Sequence, residues 1–190
     1  MQPLTPTDLW PLPVYEGVRD RFRSEVIAHK RDRRVTVGPW MTFVFENRLT
    51  VKFQVQEILR IERISNEEGV REELEGFNTM LPGKGELSAT LLIELNGTDA
   101  EVKAQLARLV GLRDHVFLEV AGERVSGVFD EGREDDRRVS AVQYVRFRLP
   151  PGADLRKGPA VLGVGHSAYD HRQELSEAMR RALSQDLEAP

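Results

Sequence analysis

The chain contains no cysteine, and this absence excludes several kinds of chemistry. Disulfides, thiolate metal sites, iron–sulfur clusters held by this chain and cysteine nucleophiles all require the missing residue. The sequence also lacks any apolar run of the roughly eighteen residues that a transmembrane helix needs. Its start, MQPLTPTDLWPLP, has no basic residues followed by an apolar stretch, as a signal peptide would. We therefore expect a soluble, cytoplasmic protein.

An excess of basic residues is missing as well. The 190 residues include 27 Lys and Arg against 31 Asp and Glu, which gives a formal net charge of −4. Proteins that bind nucleic acids usually show a clear basic excess over the binding domain. The cations between Arg19 and Arg34 fit a solvated helix end better than a phosphate contact. The sequence therefore disfavours nucleic acid as a partner.

The common nucleotide and hydrolase motifs are absent too. The sequence has no Walker phosphate-binding loop, no Gly-x-Ser-x-Gly nucleophile turn and no His-Glu-x-x-His zinc motif. Gly163-x-Gly165 lacks the third glycine and the βαβ context of a dinucleotide-binding loop, so we interpret it as backbone flexibility. The sequence thus provides no support for a nucleotide cofactor or for nucleophilic hydrolysis.

Hydrophobic periodicity divides the chain into helices and strands. Apolar residues at helical spacing, together with capping boxes, predict helices over residues 14–31, 51–64, 65–77 and 98–111, and a final one from Asp170 to about 187. Alternating apolar residues predict strands over residues 35–37, 41–46, 87–95, 115–120, 123–128, 139–149 and 160–164. Helices do not regularly separate these strands, which favours an α+β fold over a doubly wound sheet.

The predicted architecture is a single α+β domain over residues 1–190. It contains a largely antiparallel or mixed sheet packed against several helices. Residues 151–190 are expected to form a strand–turn–helix segment packed on that domain.

Two predicted helices carry polar side chains on faces that are otherwise apolar. Glu57 falls among valines and isoleucines of the second helix, while Glu25 and His29 share a face of the first at i, i+4 spacing. If the helices pack together, Glu25, His29 and Glu57 would form a ligand set for iron, manganese or zinc. Alternatively each buried carboxylate pairs with an arginine, because an unpaired buried charge is costly. The sequence leaves both interpretations open.

A second candidate site lies late in the chain, between Gly163 and His171. Structural roles are sufficient to explain Asp170, as a helix cap, and His171, as a residue of the first helical turn. His166 and Tyr169 do not, and polar residues at the end of a strand often line a pocket. We therefore take His166, Tyr169 and Glu57 as candidate catalytic residues.

A series of short motifs recurs in one order along the chain. They include Tyr15-x-x-x-Arg19-x-x-Phe22-Arg23, Phe45-Glu46-Asn47-x-x-Thr50, Gln54-x-x-Glu57, Ser140-Ala141-Val142 and Gly165-His166-x-x-Tyr169. Through them the sequence resembles, over most of its length, a bacterial family known as domain of unknown function 3501. The chain has Ile58 where the family pattern has methionine and Trp40 where it has histidine. The resemblance implies an association, by gene neighbourhood, with rubrerythrin-like di-iron proteins and iron–sulfur oxidoreductases.

Two functions from different classes remain as hypotheses. The first is an accessory module that docks onto a rubrerythrin-like or iron–sulfur redox protein, and it rests on the resemblance and on the lack of a complete catalytic motif. The alternative is a small non-haem metal-dependent enzyme. In that case Glu25, His29 and Glu57, or His166 and Tyr169, would act as ligands or acid–base groups.

Overall fold

Antiparallel strands form the centre of the protein in the computed structural model, which describes residues 1–133 and 137–189. In chain order the strands are β1 (Arg34–Val37), β2 (Met41–Glu46), β3 (Glu86–Ile93), β4 (Val116–Val120), β5 (Glu123–Ser126), β6 (Val128–Phe129), β7 (Val142–Arg148), β8 (Ala160–His166) and β9 (Tyr169–Glu174). One sheet has the order β1-β2-β3-β7-β6 and the other the order β5-β4-β8-β9. Every strand pairing is antiparallel. The α+β prediction is confirmed, with two sheets where one was expected.

The helices lie before, between and after these strands in the chain. They are α1 (Leu12–Lys30), α2 (Arg48–Glu62), α3 (Glu67–Asn78), α4 (Asp99–Ala107) and α5 (Glu177–Glu188). Short 3-10 turns occupy Pro6–Asp8, Leu112–Asp114 and Leu155–Lys157. None of the helices in the described ranges is long and apolar enough to cross a membrane.

The main hydrophobic core lies between the two sheets. Phe43 and Phe147 of the first sheet belong to the same buried cluster as Leu118 and Leu162 of the second. Alternation along each strand produces this arrangement, because every second side chain points to the same face. The other face of the first sheet is covered by helices, and there Tyr144 packs against a second apolar cluster. The helices α1–α3, the first sheet and the second sheet therefore form successive layers, whereas α4 and α5 contribute Leu106, Met179 and Leu183 to the main core.

Asn47 explains why α2 begins three residues earlier than its apolar pattern predicts. Its side chain accepts hydrogen bonds from the amides of Leu49 and Thr50, and its own amide donates to the Thr50 hydroxyl at 2.9 Å. The polar residues that look like a break between two elements are in fact the N-terminal cap of the helix. As a result, α2 follows β2 without a loop.

The N-terminal cap of α4 allows a direct test of whether the capping box found in the sequence stabilises the helix. The Thr98 side chain accepts a hydrogen bond from the Glu101 amide, and the Glu101 carboxylate accepts one from the Thr98 amide, as the sequence predicts. We expect Thr98→Ala to lower the free energy of unfolding by about 1 kcal/mol, measured by urea denaturation. Lys103→Ala, at an exposed position of the same helix, should change it by less than about 0.5 kcal/mol. Equal effects of the two substitutions would contradict this assignment.

The prediction of a final helix capped by Asp170 is wrong. Residues 169–174 form β9, which pairs with β8 from His166↔Tyr169 to Val161↔Glu174, and the helix starts only after its cap Ser176. β9 is an edge strand whose side chains after Tyr169 are exposed. It therefore lacks the apolar alternation that identifies a strand, and its pairing depends on β8.

Gly163 serves a packing role. A Cβ at this position would overlap the ring of Phe117, which lies opposite it on β4. The outer side of that ring is covered by the guanidinium groups of Arg124 and Arg172, at 3.8 and 5.3 Å from the ring centroid. The glycine is needed for space on the sheet surface rather than for the backbone flexibility expected from the sequence.

Candidate functional site

Glu57 is the centre of an ion-paired cluster between α1 and α2. Its Oε1 accepts hydrogen bonds from the Tyr15 hydroxyl at 2.7 Å and from Arg19 Nε at 2.8 Å, and its Oε2 accepts one from Arg19 Nη2 at 2.8 Å. Arg60 Nε lies 3.6 Å from Oε1. These contacts, above all those of Arg19, lower the pKa of Glu57 to about 2. The arrangement favours the arginine-pairing interpretation of this carboxylate.

His29 belongs to a separate network that joins the end of α1 to α5. Its Nε2 lies 2.8 Å from the Asn47 amide nitrogen, which also donates to Asp186 Oδ1 at 3.0 Å. Asp186 in turn accepts two hydrogen bonds from Arg33, at 2.8 and 3.0 Å. Burial, and then the charge of Arg33, lower the pKa of His29. The imidazole is therefore neutral at pH 7 and accepts the Asn47 hydrogen bond.

The structure does not bring Glu25, His29 and Glu57 together as a metal-ligand set. Glu57 lies beside Tyr15 near the start of α1 and His29 lies near its end, about 20 Å further along the helix axis. Glu25 is exposed. Within residues 1–133 and 137–189, no group of three or more His, Asp or Glu side chains is placed to hold a metal ion. The proposed iron, manganese or zinc site is thus corrected to two separate polar networks, because α1 and α2 pack antiparallel.

His166 and Tyr169 flank the turn between β8 and β9, and backbone groups surround both side chains. His166 Nε2 lies 3.1 Å from the carbonyl oxygen of Val110, and its Nδ1 accepts from the amide two residues later at 3.1 Å. The Tyr169 hydroxyl donates to the Val37 oxygen at 2.6 Å and accepts from the Trp40 amide at 3.2 Å. Burial raises the pKa of Tyr169. These bonds fasten the β8–β9 turn to the β1–β2 turn and to the segment after α4.

Glu46 is a buried carboxylate that is not among the candidate site residues predicted from the sequence. Its Oε2 accepts from the Thr50 hydroxyl at 2.5 Å and from Gln54 Nε2 at 3.0 Å, and its Oε1 accepts from the Thr90 hydroxyl at 2.7 Å. Among the described residues no cation forms an ion pair with it. Its position just before α2 places it at the positive end of the helix dipole. In the sequence, the spacing Glu46-x-x-x-Thr50-x-x-x-Gln54 is the pattern that could have predicted this hydrogen-bonded cluster.

A polar cleft opens beside Tyr169, and we call it the Trp40 cleft. Its volume is about 350 Å³, and its lining includes Trp40, Gln105, Arg108, Leu109, Tyr169 and His171. Neither Trp40 nor Arg108 was recognised as a site residue from the sequence. The two residues are 68 positions apart, and only the packing of α4 against the β1–β2 turn places them on one cleft.

An apolar groove of about 340 Å³ lies in the helical layer. It runs between the N-terminal segment and the junction of α2 and α3, and its lining includes Leu9, Trp10, Leu12, Leu59, Ile64 and Val70. Two exposed apolar side chains, Val14 at 49% and Ile61 at 66%, lie at the same end of the antiparallel α1–α2 pair. We call the groove together with Val14 and Ile61 the apolar end.

Comparisons with known proteins identify the family of this chain but no activity. Residues 3–187 match the model of the family described as "Protein of unknown function (DUF3501)". A crystal structure of a novel protein of unknown function from Burkholderia pseudomallei K96243 is similar, with 34% sequence identity and a TM-score of 0.89. The similarity covers 98% of this chain and 100% of that one. Comparison with curated proteins yields no match.

Proposed function

This chain belongs to the DUF3501 family, and from that premise we propose that it is a cytoplasmic accessory module that docks onto a redox protein. The partner would be a rubrerythrin-like di-iron protein or an iron–sulfur oxidoreductase, the classes that the family resemblance implies. Docking would use the apolar end. The observation that carries this proposal is the apolar groove itself, extended by two of the large hydrophobic side chains that the described chain leaves exposed.

Exposed apolar surface concentrated at one end of the helix pair supports a docking role because it is costly to leave in water. Isolated exposed hydrophobic residues are normal, but a groove with apolar walls and apolar neighbours is typical of protein–protein contacts. Ile61 alone is 66% exposed, and Trp10 and Leu9 line the groove at the same end of the helix pair. A partner segment with an apolar face would cover these side chains, as helices do in hydrophobic grooves.

Charge around the groove indicates what kind of segment fits. α3 borders the groove through Val70, and Glu67 at its start also lines it. The helix contains five glutamates and a single arginine. The excess of glutamates on α3, where Glu67 itself pairs with Arg71, attracts a basic partner surface and discriminates against acidic ones. We therefore propose that the partner contributes a basic segment with apolar anchors.

The candidate catalytic and ligand side chains described above are hydrogen-bonded to other parts of the protein, which agrees with an accessory role. Glu57 is held by Arg19 and Tyr15, and His29 by Asn47. His166 and Tyr169 bond to backbone groups. These side chains hold elements of the fold together, which accounts for their burial without a catalytic step. No feature of the described residues favours the metal-dependent alternative over this reading.

The test is a binding measurement under anaerobic conditions with purified proteins. The full chain is immobilised and titrated with the rubrerythrin-like protein and with the iron–sulfur oxidoreductase encoded in the same genome. We expect one of them to bind, and Ile61→Asp to weaken the affinity at least tenfold because a hot-spot side chain is replaced by a charge. Ile27→Asp is the matched control, since Ile27 is 47% exposed but lies toward the opposite end of the helix pair.

Three results would contradict the proposal. The first is that neither redox protein binds, and the second is that Ile27→Asp weakens binding as much as Ile61→Asp does. The third is that the chain self-associates and Ile61→Asp abolishes that association, which would assign the apolar end to a second copy. Added salt should weaken true docking, because the glutamates of α3 contribute to it.

A further inference from the structure

We propose that the Trp40 cleft is a binding site for a small planar aromatic carboxylate, whose ring lies against Trp40 and whose carboxylate pairs with Arg108. This site is separate from the apolar end, and the inference does not depend on the docking proposal. It rests on an aromatic wall that is fixed in place and on polar side chains that face the cleft without partners.

The aromatic wall consists of three rings in succession. The rings of Trp40 and Tyr169 have their centroids 4.0 Å apart, and the rings of Tyr169 and His171 have theirs 4.4 Å apart. The two ring pairs are tilted, at 46° and 61°, and Trp40 is only partly buried, so some of its indole is exposed at the cleft. Indole is a favourable surface for a flat ring, which gains contact area there at little entropic cost.

This wall is preorganised by the β1–β2 turn. The Tyr169 hydroxyl is held between the Val37 oxygen and the Trp40 amide, so that neither ring depends on a ligand for its position. Gly38 has a φ of +69° and lies directly below. A Cβ on Gly38 would overlap the Tyr169 hydroxyl and the His171 ring, so glycine allows the close approach. A site that exists before binding loses less free energy on binding.

The polar side of the cleft has unused hydrogen-bonding capacity. Gln105 lies in the last turn of α4, and Arg108 is the residue that caps its end. In the described ranges, no protein group forms a hydrogen bond or an ion pair with the side chains of Gln105, Arg108 and His171. Arg108 and His171 are exposed, so water hydrates them in the absence of a ligand. By contrast, Arg148 and Arg156, which line a different pocket, are paired with Glu86 and Asp154. Arg108 therefore remains available for a ligand anion.

The donors and the size of the cleft define the ligand class. A guanidinium binds a planar carboxylate through two parallel hydrogen bonds, a geometry that a lysine could not provide. A cleft of about 350 Å³ is at the small end of ligand sites and accommodates one or two fused rings with a single acidic group. The adjoining apolar contact is Leu109, which suits a hydrocarbon ring edge.

The experiment follows the two tryptophan indole signals in nitrogen-15 NMR spectra of the full chain. Trp10→Phe identifies the Trp40 signal. The probe is 2-naphthoate, and we expect it to shift the Trp40 signal in a saturable way, with a Kd of about a millimolar or lower. The Trp10 signal should stay in place, because Trp10 lies in the groove at the apolar end.

Two variants and two further probes make the test specific. Arg108→Gln should weaken naphthoate binding at least tenfold, whereas Arg113→Gln, at an exposed arginine of the neighbouring 3-10 turn, should not change it. The neutral 2-naphthamide should bind at least tenfold more weakly because it lacks the charge. Cyclohexanecarboxylate should also bind more weakly because it cannot stack on Trp40.

Each opposite result overturns a defined part of the inference. No shift of the Trp40 signal at several millimolar naphthoate would remove the site. Equal binding of 2-naphthamide, or of the Arg108→Gln variant, would remove the role of Arg108. Equal binding of cyclohexanecarboxylate would remove the requirement for a planar ring. An unchanged Trp10 signal in Arg108→Gln shows that this variant is folded, so a loss of binding is interpretable.

Discussion

Replacing Asp186 with asparagine is expected to lower the free energy of unfolding by about 3 kcal/mol, because it leaves the Arg33 guanidinium buried without a counter-charge. The side chains of Arg33 and Asp186 are only 6% and 9% exposed, and the pair is bonded through two atoms on each side. The same carboxylate also accepts from the Asn47 amide. Urea denaturation at pH 7 measures the effect.

A control and a rescue distinguish this effect from a general weakening of α5. Glu177→Gln removes an exposed ion pair with Arg181 on the same helix and should cost less than about 0.5 kcal/mol. The double variant Arg33→Met, Asp186→Leu should recover much of the lost stability, since apolar residues of similar size replace both buried charges. If Asp186→Asn and Glu177→Gln had the same small effect, the network would not anchor α5.

Glu57→Gln is expected to lower the free energy of unfolding by about 3 kcal/mol at pH 7. The carboxylate has a pKa of about 2 in the folded protein, against an ordinary value of 4.5, because Arg19 and Tyr15 hydrogen-bond to its charged form. Glutamine keeps the shape and loses the charge. Metal content should not change, whereas the metal-dependent hypothesis requires that it falls.

The pH dependence of this substitution has a definite sign. A depressed folded-state pKa contributes stability that is fully present above pH 4.5 and is lost as the pH falls toward 2. The difference in stability between the natural protein and Glu57→Gln should therefore be constant near neutral pH and shrink across that window. Glu62→Gln, at an exposed position of the same helix, should change the free energy of unfolding at pH 7 by less than about 0.5 kcal/mol. A difference that is independent of pH would contradict the ion-pair assignment.

Much of the secondary structure could be predicted because its signals are local. The Thr98 capping box and the hairpin at Ala121-Gly122 are both confirmed. In the hairpin, Ala121 and Gly122 have φ values of 51° and 84°, the left-handed backbone that a two-residue turn requires. Such features involve contacts between residues a few positions apart, so the chain encodes them within a short window.

The candidate sites were only partly accessible to sequence reasoning. Helical spacing correctly identified Glu57 and His29 as polar residues at helix contacts, and arginine pairing was one of its two interpretations. It could not show that Arg19 holds Glu57 or that Asp186 completes the His29 network, 157 residues along the chain. Hydrogen-bond partners this remote leave no spacing pattern.

The amino-acid sequence by itself determined the family, the α+β class and the lack of cysteine chemistry, because motifs, periodicity and composition are properties of the linear chain. Only the tertiary structure decided that residues 169–174 form a strand, since β9 receives its hydrogen bonds from β8. It also decided that α1 and α2 pack antiparallel, which separates His29 from Glu57. Finally, it placed Arg108 beside Trp40, because a cleft is formed by elements that meet only after folding.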